Sequence, residues 1–214
     1  LRLAGSVNYR GLGTFEFLVD QDHPGRFYFM EANPRIQVEH TITEEITGVD
    51  LVQTQLQLLA GHSLADLGLE SAPTVRGFAI QARINTETLH SDGHANVATG
   101  TLGTYEPPSG PGLRVDGYGY AGYTITPSFD SLLAKLVAHG SDYPSTLRRL
   151  YRALCEFRLT GVSSNIGLLQ NLARHSGVET WAVTTRFVED NLNTLIPVET
   201  KNAHPHLHFG DTFS

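Results

Sequence analysis

Cysteine is all but absent. Cys155 is alone among 214 residues, so no internal disulfide can form, and the chain is compatible with a reducing compartment. Long apolar runs are missing too. Nothing approaches the roughly 18 residues that a membrane-spanning helix needs, and no secretory or transit segment is visible. Charged residues make up only 17% of the chain, and the positive ones are the scarcer: 15 Lys and Arg against 22 Asp and Glu give a formal charge of -7. No Lys/Arg stripe offsets that negative field, which disfavours binding to a nucleic-acid backbone. Small anions are not excluded, because a few local cations or a metal can hold them. No internal repeat is evident. The 40% hydrophobic content fits an ordinary globular protein rather than a disordered one, and the length suits one large domain or two small ones. The first residue is Leu1, not Met, and a strand-like run follows closely, as expected of a piece excised from a longer protein.

What the chain does have is a dense polar stretch, Glu31-Ala32-Asn33-Pro34-Arg35-Ile36-Gln37-Val38-Glu39-His40. Two carboxylates, two amides, a guanidinium and an imidazole lie within ten residues. Such a cluster between ordered elements is costly unless ligands or metals satisfy it. Residues 14–19 read as a strand, residues 21–25 as a turn and residues 26–31 as the returning strand, making a hairpin whose loop fixes register poorly. If Val19 opposes Arg26, Glu31 lies diagonal to Glu16 on one face; if Leu18 opposes Phe29, the two glutamates face each other. A slip of one residue separates them. Two carboxylates so placed repel and call for a cation or a shared proton. With Asn33 close by, the oxygen donors suit Mg²⁺, which commonly takes one or two carboxylates and substrate phosphate oxygens. Two glutamates on a solvated sheet face remain the plain alternative.

Further along, Thr43 reads as an N-cap with Glu44 and Glu45 in the first helical turn. Gly48 interrupts, and Val52, Leu56, Leu59 and Ala60 recur at the spacing of a core-facing stripe. Residues 63–76 are polar and read as a connector between two domains, residues 1–62 and 77–196, with a tail over 197–214. Residues 77–85 form a strand with Phe78, Ile80, Ala82 and Ile84 on one face and Arg83 on the more polar one. Residues 86–112 hold short extended pieces. Strands are expected at 113–116, 120–125 and 133–138. Asp142, Pro144 and Ser145 open a helix with Leu147, Leu150, Tyr151, Leu154 and Phe157 inward and Gly161 as its stop. Ser164 or Asn165 caps a second helix that ends at Gly177, and residues 185–188 start a last short element. Cys155 beside the first stripe reads as an inert structural thiol. His204, His206 and His208 alternate in the tail without carboxylate partners and read as solvated.

These residues carry a resemblance. Phe15-Glu16-Phe17-Leu18, the run from Phe29 to His40, and Thr43-Glu44-Glu45-Ile46-Thr47-Gly48-Val49-Asp50-Leu51 resemble the later part of the ATP-grasp domain of biotin carboxylase. Ala82-Arg83-Ile84-Asn85, Tyr123, Asp130-Ser131-Leu132-Leu133-Ala134-Lys135-Leu136 and Gly161-Val162-Ser163-Ser164-Asn165 resemble that family's C-terminal domain. The likeness covers nearly everything but the tail. It implies an α+β fold: the C-terminal lobe fragment of an ATP-grasp fold, then a domain of antiparallel sheet with packed helices. It implies an ATP- and Mg²⁺- (or Mn²⁺-) dependent ligase that activates bicarbonate as carboxyphosphate and carboxylates biotin borne on a separate carrier domain. By the same likeness Glu16 and Glu31 hold the metal on ATP, with Asn33 assisting. Arg35, Gln37 and the Val38 backbone N–H bind bicarbonate, Glu39 is the general base, and Arg83 stabilises the enolate-like form of biotin. A homodimer and a cytoplasmic location, or the mitochondrial matrix in a eukaryote, also follow from it.

The departures carry expectations of their own. No glycine-rich phosphate loop, nucleotide-binding lysines or Met-Lys-Met biotinylation site is present; Lys135 has a different context. The chain is therefore expected to hold one side of an ATP site, to bind nucleotide weakly and not to turn over alone. Two other readings compete: another ATP-grasp ligase of the carbamoyl-phosphate synthetase kind, against which Gln37-Val38-Glu39-His40 and Arg83 argue, and a non-catalytic dimerisation or assembly module.

Overall fold

A computed structural model describes residues 2–20, 22–23, 25–90 and 92–196. The histidine-bearing tail lies outside the described residues, as do Gln21 and Pro24 of the expected turn. The chain divides into two compact units, Leu1–Arg76 and Gly77–Ser214.

The first unit opens with a short helix, α1 (Arg2–Ser6), where the sequence shows little pattern. An antiparallel hairpin follows, β1 (Thr14–Val19) and β2 (Phe27–Asn33). A 3-10 turn (Val38–His40) then leads into α2 (Thr41–Thr47) and α3 (Leu51–Leu59). The first of these helices starts two residues before the expected cap. His40 occupies the cap position without a side-chain capping bond, and the Thr43 hydroxyl meets the His40 ring instead. Gly48 ends the helix in the left-handed conformation, φ 73°, which a residue without Cβ adopts at little cost. Glu44 then reaches forward to accept the Leu51 N–H at 2.9 Å, while the Asp50 carboxylate caps α3 through the Gln53 N–H at 2.8 Å.

One expectation fails here. The stripe Val52, Leu56 and Leu59 is exposed, at 55%, 62% and 69%; Ala60 is exposed too, and the buried residue of α3 is Thr54. The only sheet of this unit among the described residues is the two-stranded hairpin. The hairpin's own apolar residues, Phe15, Phe17, Val19, Phe27 and Phe29, are exposed as well.

The second unit holds the core. Its strands are β3 (Phe78–Asn85), β4 (Glu87–Leu89), β5 (Ala95–Val97), β6 (Gly100–Thr101), β7 (Thr104–Glu106), β8 (Leu113–Gly117), β9 (Thr124–Ile125) and β10 (Leu132–Gly140). After them come α4 (Tyr143–Glu156), β11 (Arg158–Thr160), α5 (Ile166–Arg174), α6 (Ser176–Glu179), α7 (Phe187–Asp190) and α8 (Leu192–Leu195). The main sheet runs β3-β10-β8, antiparallel throughout. Its middle strand is mostly buried rather than alternating, as a strand covered on both sides should be. Leu147, Leu150, Ala153, Leu154 and Phe157 on and just after α4 pack with Ile84, Leu136 and Ala138 of the sheet. Each buried leucine, isoleucine or phenylalanine among them stabilises by about 1.5–3 kcal/mol. The Asp142 carboxylate caps α4 through the Ser145 N–H at 2.8 Å, with Pro144 in the first turn.

Several boundaries differ from expectation. Residues 120–123 turn, and only Thr124–Ile125 pairs as strand. The helix α4 ends at Glu156 because the chain turns extended at Phe157 and enters β11. Gly161 instead follows that strand at φ 92°, where an added Cβ would strike the Thr101 carbonyl. Likewise α5 stops at Arg174, and Gly177 lies inside α6.

Candidate active site

The hairpin register decides what the two glutamates can do. Near the turn, Phe17 pairs with Phe29, Leu18 with Tyr28 and Val19 with Phe27. That is the slipped register, which continued unchanged would set Glu16 opposite Met30 and leave Glu31 on the other face. A one-residue bulge at Met30 changes it: beyond the bulge Glu16 faces Glu31, Phe15 faces Ala32 and Thr14 faces Asn33. Bulges re-aim side chains in this way next to functional sites. This one puts Glu16, Glu31 and Asn33 on one face of the hairpin.

Hydrogen bonds tie that face together. Asn33 Nδ2 donates to Glu16 Oε1 at 2.9 Å and to Glu31 Oε1 at 2.8 Å. Gln37 Nε2 donates to the same Glu16 oxygen at 2.9 Å. The two amides thus supply the positive end that opposed carboxylates require. As placed, Asn33 turns its nitrogen to them, so it compensates their charge rather than offering a third oxygen; a half-turn of the amide presents Oδ1. Among the described residues no group of three or more His, Cys, Asp or Glu side chains could hold a metal. An ion at Glu16 and Glu31 would have to complete its shell with other oxygens, which fits Mg²⁺ with phosphate and water better than a caged transition metal.

Beyond Asn33 the chain reverses sharply. The Arg35 N–H donates to the Asn33 carbonyl across Pro34 at 2.8 Å, a three-residue turn that the fixed proline φ favours. Arg35 emerges exposed, its Nη1 3.2 Å from the Ile36 carbonyl. Gln37 is buried, and its Oε1 has no hydrogen-bond partner among the described residues. Val38 and Glu39 lie in the 3-10 turn, which closes through the His40 N–H to the Gln37 carbonyl at 3.3 Å.

One fastening is not legible in the sequence. His40 Nε2 is 2.8 Å from Thr14 Oγ1, and Nδ1 is 3.0 Å from Thr43 Oγ1. Since a hydroxyl can donate or accept, either tautomer satisfies both contacts. The imidazole pins the turn carrying Val38 and Glu39 to the start of β1 and to α2. The residue types were visible, but nothing in linear spacing joins Thr14 to His40.

Arg83 belongs to the second unit. It lies exposed on β3 opposite Lys135 of β10, which lies opposite Asp116 of β8. Lys135 Nζ is 3.3 Å and Arg114 Nε 2.9 Å from the Asp116 carboxylate. Partial burial pushes that carboxyl up, but Arg114 and Lys135 together outweigh it and hold it below the ordinary range. Cys155 is half-buried, and burial pushes its thiol up despite the Tyr151 hydroxyl, as suits an unreactive thiol.

Residues 81–190 match the family model described as the biotin carboxylase C-terminal domain. The chain belongs to the biotin carboxylase family. Residues 1–67 match the ATP-binding domain of the carbamoyl-phosphate synthase L chain; that match by itself would not separate a biotin carboxylase from another ATP-grasp ligase, and the C-terminal one does. Pyruvate carboxylase of Aspergillus niger is 48% identical over 204 residues, covering 94% of this chain and 17% of the relative. The biotin carboxylase domain of a single-chain bacterial carboxylase is 45% identical with a TM-score of 0.82, over 91% of this chain and 44% of that one. The biotin carboxylase domain dimer of Hydrogenobacter thermophilus 2-oxoglutarate carboxylase, solved with MgADP and bicarbonate, is 36% identical with a TM-score of 0.82, over 92% of this chain and 42% of that one. The chain thus spans under half of these carboxylase domains and about a sixth of the pyruvate carboxylase. Its fold is accordingly α+β, the end of an ATP-grasp lobe followed by a biotin carboxylase C-terminal domain.

Proposed function

We propose that this chain supplies the metal and bicarbonate residues, and one biotin residue, of an ATP-dependent biotin carboxylase. The observation that carries the reading is the hydrogen-bonded face of Glu16, Glu31, Asn33 and Gln37, followed at once by Arg35 and the turn bearing Val38 and Glu39. Glu16 and Glu31, with Asn33 assisting, would hold Mg²⁺ (or Mn²⁺) on the phosphates of ATP. Bound there, the ion would neutralise phosphate charge during transfer. The Arg35 guanidinium is planar and always charged, and it matches a planar oxyanion through two parallel N–H donors. Gln37 and the Val38 N–H complete that bicarbonate site. Glu39 takes the bicarbonate proton as a bicarbonate oxygen attacks the γ-phosphorus, ADP leaves and carboxyphosphate forms. As the carboxyl carbon of carboxyphosphate passes to N1′, phosphate leaves and takes up the N1′ proton, and Arg83 stabilises the negative charge that develops on the biotin ureido oxygen.

The partners in this reading are ATP, bicarbonate and a biotinyl carrier domain, within a homodimer. The domain limits belong to it as well: residues 1–62 for the metal and bicarbonate site and 77–196 for the C-terminal domain, with 63–76 between them. No helix among the described residues is long and apolar enough to cross a membrane, and a cytoplasmic or matrix location is part of the proposal. The test is bicarbonate-dependent ADP release with Mg²⁺ and free biotin, run on this chain and on the chain extended upstream in its gene. Turnover from the longer chain, with silence from the shorter, supports the reading. Silence from both favours an assembly module or another ATP-grasp substrate.

A further inference from the structure

We infer that Asn165 is a positioning residue for Arg83, a clamp that fixes the β3 backbone on both sides of Ile84; the inference rests on the reading of Arg83 just given. Asn165 stands at the N-cap of α5, where an asparagine side chain ordinarily accepts a hydrogen bond from its own helix. Here it makes no such bond. Its amide turns to the sheet instead. Oδ1 accepts the Asn85 N–H at 2.9 Å, and Nδ2 donates to the Arg83 carbonyl at 3.0 Å. The Asn165 backbone N–H adds a third bond, to the Asn85 carbonyl at 3.2 Å. Asn165 is 5% exposed, so these bonds are shielded from competing water.

The place of the clamp is informative. Among the described residues β3 is an edge strand, paired only with β10 in its sheet. In an antiparallel pair the backbone groups of alternate residues point away from the partner strand. Arg83 and Asn85 are two such residues, and Asn165 meets the outward groups as a neighbouring strand would. The ladder is irregular at the same point, because the register between β10 and β3 shifts between Leu132 and Ala134. A strand with a bulge on one side and an open edge on the other would be free to twist where Arg83 leaves it. Asn165 removes that freedom, so the guanidinium starts from one fixed Cα–Cβ direction. A generic helix cap needs none of the contacts to Arg83 and Asn85.

The test uses the complete enzyme with Asn165→Ala, Arg83→Gln and the double variant, reading kcat and KM for free biotin beside MgADP affinity and the melting temperature. Asn165→Ala should lower kcat/KM for biotin by about 10- to 100-fold, the scale of a misplacement on the order of 1 Å, and leave MgADP affinity unchanged. In the Arg83→Gln background the same substitution should change biotin turnover by less than about twofold, because residues acting through one another are not additive. Equal losses in both backgrounds would overturn the inference in favour of a merely structural role. An impaired Arg83→Gln beside a normal Asn165→Ala would overturn the inference alone. Undiminished turnover in Arg83→Gln would overturn the reading of Arg83 and the inference with it. If Asn165→Ala does not fold, Asn165→Asp keeps the acceptor for Asn85 and loses the donor to Arg83. It should show the same loss confined to biotin, and a normal biotin kcat/KM would count against the clamp.

Discussion

Replacing Gln37 with methionine should separate stability from function. Gln37 is 9% exposed, and the two ends of its amide have unequal fates. Nε2 donates to Glu16 Oε1 at 2.9 Å, while Oε1 is buried without a hydrogen-bond partner among the described residues. Gln37→Met keeps roughly the same length and removes both ends. The lost bond to a carboxylate is worth about 1.5–3 kcal/mol, and relief of the orphaned oxygen returns about 1–3 kcal/mol. Glu16 is not stranded, because Asn33 still donates to it. The two effects nearly cancel, so the midpoint of urea unfolding should move by no more than about 1 kcal/mol equivalent, with unchanged slope. In the complete enzyme the KM for bicarbonate should nevertheless rise by about tenfold or more, the equivalent of one hydrogen bond. Destabilisation beyond about 3 kcal/mol, the upper end of the lost bond, would refute the orphaned oxygen and make Gln37 a structural residue. An unchanged bicarbonate KM would refute its place in the anion site.

Arg35→Lys keeps the charge but loses the planar fork, and it should lower carboxylation by about 100-fold, on the scale of one lost transition-state donor; near-normal ADP release would sink the bidentate argument. Asp116 contributes a pH signature. Its folded carboxyl sits below the ordinary 3.8, so the stability drawn from Arg114 and Lys135 is fully present above that value. It is lost as pH falls through the lower folded value. Asp116→Asn should flatten this part of the acid limb of a stability-against-pH curve, and an unaltered limb would contradict it. Phe157 is 1% exposed and packs edge-on against Tyr105, ring centroids 5.6 Å apart. Phe157→Ala should destabilise the second unit by about 3–5 kcal/mol, measured by denaturant; a loss under about 1 kcal/mol would mean that the site collapses around the gap.

The polar run from Glu31 to His40 was legible because its chemistry is local: side chains that need partners sit side by side in the sequence. The strand Thr14–Val19 and the start of α4 were legible for the same reason, through alternation and through Asp142 with Pro144. The bulge at Met30 was not. Alternation says which residues share a face but not where one strand skips a residue, so Glu16 meets Glu31 by a route that the register near the turn, continued unchanged, would miss. Periodicity likewise set Val52, Leu56 and Leu59 on one side of α3, yet it carries no information about whether anything covers that side. Spacing marks Ser164 or Asn165 as the cap of the second helix, and the structure gives that place to Asn165. Its actual partners lie on a strand about eighty positions earlier, and only tertiary structure brings them within reach.

The most direct measurement is an NMR titration of bicarbonate, with and without Mg²⁺–ATP, into the complete ¹⁵N-labelled enzyme, following the backbone amide of Val38 and the side-chain amide of Gln37. Saturable shifts at both, abolished by Arg35→Lys, are expected if this turn is the anion site. Saturable shifts elsewhere, with Val38 and Gln37 unmoved, would contradict it.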